Sequence, residues 1–248
     1  DADPAALKDA ENTGVFDLLS DDRRKALKDA DCIILAAPIS AILDWLEKLP
    51  GIYSGNALVI DLGSTKEQIV RKMDELPARF DAVGGHPMCG KEKASIRFAD
   101  AGIFQGATFA FVPTKRLSEV ARNAAVELAR LLNANPLWLD AQSHDRWTAY
   151  SSHFPYLAAN ILAGITQEEV SPLVGTGFRS TSRLASSSLR MMKDILLSNR
   201  QNVLAVLRQY RSSMDELEVA LENADATVLD EILTRGYDQH QKIGRAHV

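Results

Sequence analysis

The fold is marked most clearly by the stretch Asp81-Ala-Val-Gly-Gly-His-Pro-Met-Cys-Gly-Lys-Glu92. Residues 80–83 are predicted to form a short apolar strand, two glycines follow, and His86 stands where the strand ends. Gly84 and Gly85 would let the backbone approach a ligand closely, and α/β proteins bind ligands at the carboxyl ends of their strands. His86 is therefore a candidate functional residue, although a structural histidine bonded to a backbone carbonyl would fit the same pattern.

Strands and helices alternate in the first half of the chain. Besides residues 80–83, four apolar runs predict strands, at 31–38, 57–63, 108–112 and 136–139. Helical patterns lie between them, at 21–29, 39–49, from the capping-box pattern of residues 64–67 onward, and at 117–132. This alternation predicts a doubly wound parallel sheet of the α/β class.

The second half of the chain is predicted to be entirely helical. Amphipathic helices are expected at about 141–165, 191–222 and 226–241. The change of pattern predicts one domain over residues 1–138 and a second over 139–242. Because so extended a helical half would bury little apolar surface alone, we expect it to form a homodimer. Residues 243–248 resemble translated adaptor DNA, so they are expected to be a non-native tail.

Composition narrows the class of protein. Apolar residues make up 46% and charged residues 25% of the 248 positions, which is ordinary for a globular protein. A net charge of -5 argues against nucleic acid or an anionic membrane as partner, and no apolar run is long enough to span a membrane. Cys32 and Cys89 form no CxxC pair, so we expect no disulfide framework and a cytoplasmic location. No His/Cys cluster accompanies Cys89, so no metal is expected.

A dinucleotide site is suggested only indirectly. A Rossmann domain begins with a strand, a GxGxxG loop and a helix, and its second strand ends in an acid that binds the adenosine ribose. GxGxxG does not occur here, but Asp1 stands where that acid would stand, so truncation at the N-terminus and weak binding of NAD are expected. Asp1 would favour NAD over NADP, whereas an ordinary helix-capping aspartate explains it equally well.

Several short motifs together carry a family resemblance. They occur in the order Ala36-Ala-Pro-Ile39, Asp61-Leu-Gly-Ser-Thr-Lys66, Gly84-Gly-His-Pro-Met-Cys-Gly-Lys-Glu92, Ser152-His-Phe-Pro-Tyr156, Gly177-Phe-Arg-Ser-Thr-Ser-Arg183 and Lys193-Asp-Ile195. With them the chain resembles the prephenate dehydrogenases of tyrosine biosynthesis (the TyrA family) over almost its whole length. The resemblance implies a partial Rossmann-type dinucleotide-binding domain followed by an all-α substrate and dimerisation domain.

The resemblance also implies roles for individual residues. His86 would be the base that takes the proton of the substrate hydroxyl as hydride leaves carbon. Ser64 would orient His86 and the substrate, with a helix N-cap as its alternative role. Ala37 and Pro38 would lie along the nicotinamide half of the cofactor. Arg183 would bind the ring carboxylate through its planar guanidinium group.

Further substrate contacts are implied around these residues. Glu92 would stand at the pocket entrance, and His153 and Tyr156, three residues apart, would share one helix face. Lys91 would repel the ammonium group of arogenate and so favour prephenate. His144, nine residues before His153, would fall on roughly the opposite helix face, which favours a structural role.

The function expected from these residues is NAD-dependent oxidative decarboxylation of prephenate to 4-hydroxyphenylpyruvate. Arogenate dehydrogenase is one alternative. Another is a hydroxyacid dehydrogenase with a Rossmann domain followed by helices, against which the Arg183 motif argues, because such enzymes use a lysine or a His–Glu pair. A non-catalytic dimeric scaffold is the third alternative, since the sequence lacks the glycine loop.

Overall fold

A computed structural model describes residue 1, residues 3–91 and residues 95–245. By its internal contacts the chain divides into two compact units, Asp1–Asn202 and Val203–Val248. The domain boundary predicted near residue 138 falls inside the first unit and stays a prediction, as does the non-native character of residues 243–248.

The sheet has five strands in the spatial order β1-β2-β3-β4-β5. The strands are β1 Cys32–Leu35, β2 Ala57–Asp61, β3 Phe80–Pro87, β4 Thr108–Pro113 and β5 Asn135–Trp138. β1, β2 and β3 are parallel, and β5 is parallel to β4, but β4 runs antiparallel to β3. The direction of β4 therefore differs from the predicted parallel sheet, whose parallel part is formed by β1, β2 and β3. The described part of the β3–β4 connection holds only the short 3-10 turns Ile96–Phe98 and Ala101–Phe104, and not the α-helix that usually forms the crossover between parallel strands.

Helices occupy most of the remaining chain. They are α1 Pro4–Glu11, α2 Arg23–Ala26, α3 Ile39–Ile52, α4 Glu67–Asp74, α5 Glu119–Leu131, α6 Ala141–Thr148, α7 Phe154–Ile165, α8 Thr176–Ser182, α9 Leu189–Ser198, α10 Arg200–Glu222 and α11 Ala226–Arg245. The predicted helix at 141–165 consists of α6 and α7 joined by a π-helical turn, Ala149–His153. The predicted helix at 191–222 is divided into α9 and α10 at Asn199. Within the described ranges, no helix combines the length and the apolarity that a membrane crossing requires.

The central strands β2, β3 and β4 are mostly buried, whereas β1 exposes alternate residues and β5 is largely exposed. Successive residues of a strand point to opposite sides of the sheet. Val59 of β2 belongs to one apolar cluster, which also contains residues of α3, α4 and α9. Its neighbour Ile60 belongs to a second cluster, formed with β4 and α5. These clusters confirm that the apolar runs predicted as β1 and β2 form strands inside a layered α/β domain.

The two glycines before His86 lie inside β3 and permit close packing against neighbouring elements. A Cβ atom on Gly85 would stand 2.6 Å from the main-chain oxygen of Asp61, and one on Gly84 would stand 2.9 Å from Cγ2 of Val70. The sequence assigned these glycines to the approach of a ligand. The structure instead shows that they make room for β2 and α4.

We predict that Gly85→Ala destabilises the protein by about 1–3 kcal/mol, because the new methyl group would press on the rigid backbone of β2. Urea denaturation should show the loss as a lower midpoint. The matched control is Gly90→Ala, where an added Cβ would meet no atom of a described residue within 4 Å. Equal stability of the two variants would contradict the packing role of Gly85.

Candidate active site

Four of the predicted cofactor and catalytic residues, Ala37, Pro38, Ser64 and His86, lie at the carboxyl edge of the three parallel strands. Ala37 and Pro38 follow β1, and Pro38 accepts the first α3 hydrogen bond, from the main-chain nitrogen of Ile42 at 2.9 Å. Ser64 follows β2, and His86 is the seventh residue of β3. This edge is where doubly wound sheets bind ligands.

A buried ion pair connects the strand ends at this edge. Nζ of Lys66 donates to a carboxylate oxygen of Asp61 and, at 2.7 Å, to the main-chain oxygen of Gly85. Asp61 also accepts from the backbone nitrogens of Gly63 at 2.8 Å and Gly85 at 3.1 Å. Both side chains are fully buried. The pair therefore joins the end of β2 to β3 immediately before His86.

The ion pair compensates a large desolvation cost. Burial raises the pKa of Asp61 and lowers the pKa of Lys66, and the opposite charge of each partner counteracts the shift of the other. Removal of one partner would leave the other as an uncompensated buried charge.

Helix α4 receives its N-terminal cap from α6, which corrects the prediction of a local capping box. The Asp145 carboxylate accepts from the backbone nitrogens of Lys66 at 2.7 Å and Glu67 at 3.0 Å. The cap position of α4 itself makes no side-chain capping bond. Ser64 is half-buried, and its hydroxyl makes no hydrogen bond with any described residue. The Asp145 carboxylate, at the N-terminus of α4, also interacts favourably with the dipole of that helix.

Helix α3 is capped in a similar way from α9. Asp194 accepts from both the backbone nitrogen and the hydroxyl of Ser40, each at 2.9 Å. The N-termini of α3 and α4 thus both face carboxylates of the helical segment. These two helix ends are therefore occupied by protein and do not offer phosphate-binding sites.

The Asp145 carboxylate also orients a pair of histidines. Nδ1 of His144 lies 2.8 Å from Oδ1 of Asp145, and Nε2 of His144 lies 2.9 Å from Nδ1 of His86. A carboxylate can only accept, so Nδ1 of His144 carries a proton and Nε2 is the acceptor for Nδ1–H of His86. The network assigns the free lone pair of His86 to Nε2, which makes no hydrogen bond with a described residue.

His144 makes the contact with His86 that the sequence analysis expected of Ser64, although its spacing from His153 had favoured a structural role. Burial lowers the pKa of His86 well below 6.5, and the charge of Lys66, together with that of His144 and His153 whenever these rings are protonated, acts in the same direction. His86 is consequently neutral near pH 7 and able to accept a proton.

His153 lies closer in angle to His144 than α-helical spacing predicts. Nine α-helical residues correspond to about 180° around the helix, but the π-helical turn adds a residue between them and reduces the angle to about 80°. Both imidazoles are buried. Nδ1 of His153 lies 3.0 Å from Nδ2 of Asn199. Burial lowers the pKa of His153 to about 4, against the attraction of Asp145.

Other predicted substrate residues lie in varied surroundings. Tyr156 is buried in the first apolar cluster, which gives it a packing role, and its contact with substrate stays a prediction. Lys91 pairs with Asp100 at 2.9 Å, so its charge is already compensated and the repulsion argument against arogenate is weakened. Arg183 is exposed in the 3-10 segment that follows α8.

Asp1 and Glu92 are the remaining predicted site residues. Asp1 is exposed, and its carboxylate accepts from the backbone nitrogen of Asp3 at 2.9 Å. Glu92 lies outside the described residues. Among the described residues, no group of three or more His, Cys, Asp or Glu side chains could hold a metal ion.

Sequence reasoning missed five residues that organise the site: Asp61, Lys66, His144, Asp145 and Asn199. Two signals could have found some of them. Asp61 ends an otherwise apolar strand, and the pair His144-Asp145 places an acid beside an imidazole near the start of a helix. The contact of Asn199 with His153 has no counterpart in sequence spacing, because 46 residues separate the two.

We predict that Lys66→Met destabilises the fold by about 3–5 kcal/mol, because Asp61 is left buried without its counter-charge. Urea denaturation should show a smaller loss for the double variant Lys66→Met/Asp61→Asn than for Lys66→Met alone. The exposed ion-paired lysine Lys72, changed to Met, serves as control and should change stability little. If Lys66→Met were as stable as Lys72→Met, the ion pair between Lys66 and Asp61 would not stabilise the fold.

We predict that the free energy of unfolding falls as the pH falls from about 6.5 to about 4. In this window folded His153 stays neutral while the unfolded chain takes up the proton, so the unfolded state binds more protons. His153→Gln should reduce the slope of the free energy of unfolding against pH by at most about 1.4 kcal/mol per pH unit. Part of the slope should remain in this variant, because His86 contributes to it in the same direction. His240→Gln, at an exposed position of α11, is the control in urea titrations across this pH range. Equal slopes would contradict the prediction.

Comparison with known proteins identifies the family. Residues 1–135 match the family model for the prephenate dehydrogenase nucleotide-binding domain, and residues 140–235 match the model for the prephenate dehydrogenase dimerization domain. The chain is 34% identical to the prephenate dehydrogenase of Bacillus subtilis, covering 90% of this chain and 61% of the relative. It is 31% identical to that of Lactococcus lactis, covering 86% and 60%. The chain thus spans about 60% of the length of these relatives.

A solved structure shows the same fold. The prephenate dehydrogenase of Aquifex aeolicus, in complex with hydroxyphenyl propionate and NAD+, superposes with a TM-score of 0.88 at 25% identity. The match covers 98% of this chain and 87% of that protein. The predicted class, a Rossmann-type domain followed by a helical domain, is confirmed. By its two family models, which together match most of its length, the chain belongs to the prephenate dehydrogenase family.

Proposed function

We propose that this chain carries the catalytic residues of an NAD-dependent prephenate dehydrogenase, which forms 4-hydroxyphenylpyruvate and CO₂ in tyrosine biosynthesis. One observation carries the proposal: the hydrogen-bonded chain Asp145–His144–His86 leaves Nε2 of His86 as a proton acceptor at the carboxyl edge of the sheet. The named relatives support the choice of substrate, and the ligands of the Aquifex structure support NAD.

His86 takes the proton of the substrate ring hydroxyl while the carbon that bears the hydroxyl is oxidised. Bound NAD would supply the hydride acceptor for this oxidation. The proton arrives at Nε2 of His86 and makes the ring an imidazolium, whose Nδ1–H stays bonded to His144. Asp145 supplies the negative charge at the end of this chain, which favours the protonated state. The oxidised ring then loses its carboxylate as CO₂ and becomes aromatic.

The residues at the end of β1 fit the nicotinamide half of NAD. Ala36 and Pro38 are exposed and Ala37 is half-buried, so small side chains leave this part of the edge open. The exposed carboxylate of Asp1 fits a ribose hydroxyl, which favours NAD over NADP. The printed sequence contains no GxGxxG loop for the pyrophosphate, so weak binding of NAD by this chain alone remains our expectation.

Substrate binding is assigned to Arg183, His153 and Ser64. The Arg183 guanidinium group would bind the ring carboxylate through two parallel hydrogen bonds. Ser64 would contact the ring hydroxyl directly. Prephenate is favoured over arogenate by the names of the two relatives. The charge of Lys91 contributes little to this preference, because Asp100 compensates it.

We further propose a homodimer formed through the C-terminal helices, in the cytoplasm and without nucleic acid as partner. The family model for residues 140–235 is that of a dimerization domain. Helices α10 and α11 expose large apolar side chains: Tyr210, Met214, Val219, Leu221, Leu233 and Tyr237. Burial of these side chains against a second copy would remove apolar surface from water.

The test is NADH formation by the chain joined at its N-terminus to the strand-GxGxxG-helix-strand segment of the Bacillus relative. Prephenate and arogenate are compared, each with NAD and NADP. We expect turnover of prephenate with NAD and a loss of about 10²- to 10⁴-fold in kcat for His86→Asn. The matched control His240→Asn should retain full activity. The kcat/KM of the unmodified enzyme should fall only toward acid pH, because burial above all holds the pKa of His86 well below 6.5.

Preferred turnover of arogenate would assign the chain to that alternative. A folded protein that binds NAD and turns over neither substrate would instead be a different dehydrogenase, and one that does not bind NAD would be a scaffold. Full activity of His86→Asn would overturn the assignment of the base.

A further inference from the structure

Asn199, at the junction of α9 and α10, is a buried amide held by three polar partners. Its Nδ2 donates to the main-chain oxygen of Asp145 at 2.6 Å and lies 3.0 Å from Nδ1 of His153. Its Oδ1 accepts from Nδ2 of Asn202 at 2.8 Å. A carbonyl oxygen can only accept, so the contact with Asp145 fixes which end of the amide is the donor.

The orientation of Asn199 determines the tautomer of His153. Because Nδ2 of Asn199 donates, Nδ1 of His153 must accept and carries no proton. The proton of the neutral imidazole is therefore on Nε2, which makes no hydrogen bond with a described residue. Burial favours the neutral ring and lowers the pKa of His153 to about 4. The charge of Asp145 raises the pKa of His153, and that of a protonated His144 lowers it further. His86 is another titratable group whose charge interacts with that of His153.

We propose that Asn199 is a positioning residue that holds His153 as a neutral Nε2–H donor for an oxygen atom of the substrate. The substrate part of this inference rests on the proposed function. A neutral donor, in addition to the cationic Arg183, would recognise an acceptor oxygen without adding charge. Asn199 also donates to the main-chain oxygen of Asp145 and so connects His153 to α6, the helix that carries His144 and Asp145.

A purely structural role is the competing interpretation. In that case Asn199 would only tie the α9–α10 junction to α6, and the proton position on His153 would be independent of it. The two interpretations differ in the tautomer of His153, which is measurable without substrate or cofactor.

The first measurement is ¹⁵N NMR of the histidine rings in the chain at neutral pH, with His153→Gln to assign the His153 signals. We expect the Nε2–H tautomer. In Asn199→Asp the carboxylate accepts from Nδ1–H, so the proton should move to Nδ1 or the ring should become an imidazolium, and the pKa of His153 should rise above about 4. The control is Asn160→Asp, which removes an amide donor to the main-chain oxygen of Tyr156 and contacts neither histidine.

A proton on Nδ1 of His153 in the unmodified chain would overturn the proposal, even if Asn199→Asp did not fold. An unchanged tautomer and titration in a folded Asn199→Asp would also overturn it. In the chain joined to the glycine-loop segment of the Bacillus relative, we expect Asn199→Asp to raise KM for prephenate by about three- to tenfold, which corresponds to the loss of one hydrogen bond. A KM equal to that of Asn160→Asp would leave His153 without a role in binding. Because the NMR experiment uses neither substrate nor NAD, failure of the proposed dehydrogenase activity would be recognised separately.

Discussion

The buried ion pair between Asp61 and Lys66 is the interaction on which the rest of the site depends. It joins the last residue of β2 to the residue before α4, and through Gly85 it reaches the strand that carries His86. Two buried charges are tolerated only because each compensates the other and backbone groups satisfy the remaining bonds. The absence of side chains at Gly84 and Gly85 gives the pair its space, so the glycines and the ion pair form one structural unit.

Two carboxylates connect the helical segment to this unit. Asp145 accepts from two backbone nitrogens at the start of α4, and Asp194 accepts from one backbone nitrogen and one hydroxyl at the start of α3. A change in the position of α6 would move Asp145, and with it both the start of α4 and the imidazole of His144. Stability and the geometry of proton transfer are therefore coupled through the same side chain.

The histidines differ in chemical role because their hydrogen-bond partners differ. Asp145 places a proton on Nδ1 of His144, which leaves His86 with a free lone pair, whereas an amide donor leaves His153 with a free N–H. Burial keeps His86 and His153 neutral in solutions where an exposed histidine would begin to take up protons. One site thus holds a proton acceptor and a proton donor of the same residue type.

The sequence by itself determined the layered α/β half, the helical half and the place of His86, because apolar periodicity and the ends of strands are local properties of the chain. It also carried the family resemblance, through short motifs in a fixed order. Only the tertiary structure decided the antiparallel β4, the caps of α3 and α4, and the roles of His144 and Asn199. These depend on side chains that meet across 46 to 154 residues, and on a π-helical turn that changes which residues share a helix face. No local pattern encodes such contacts, since their energy arises only when distant elements exclude water from the same small volume.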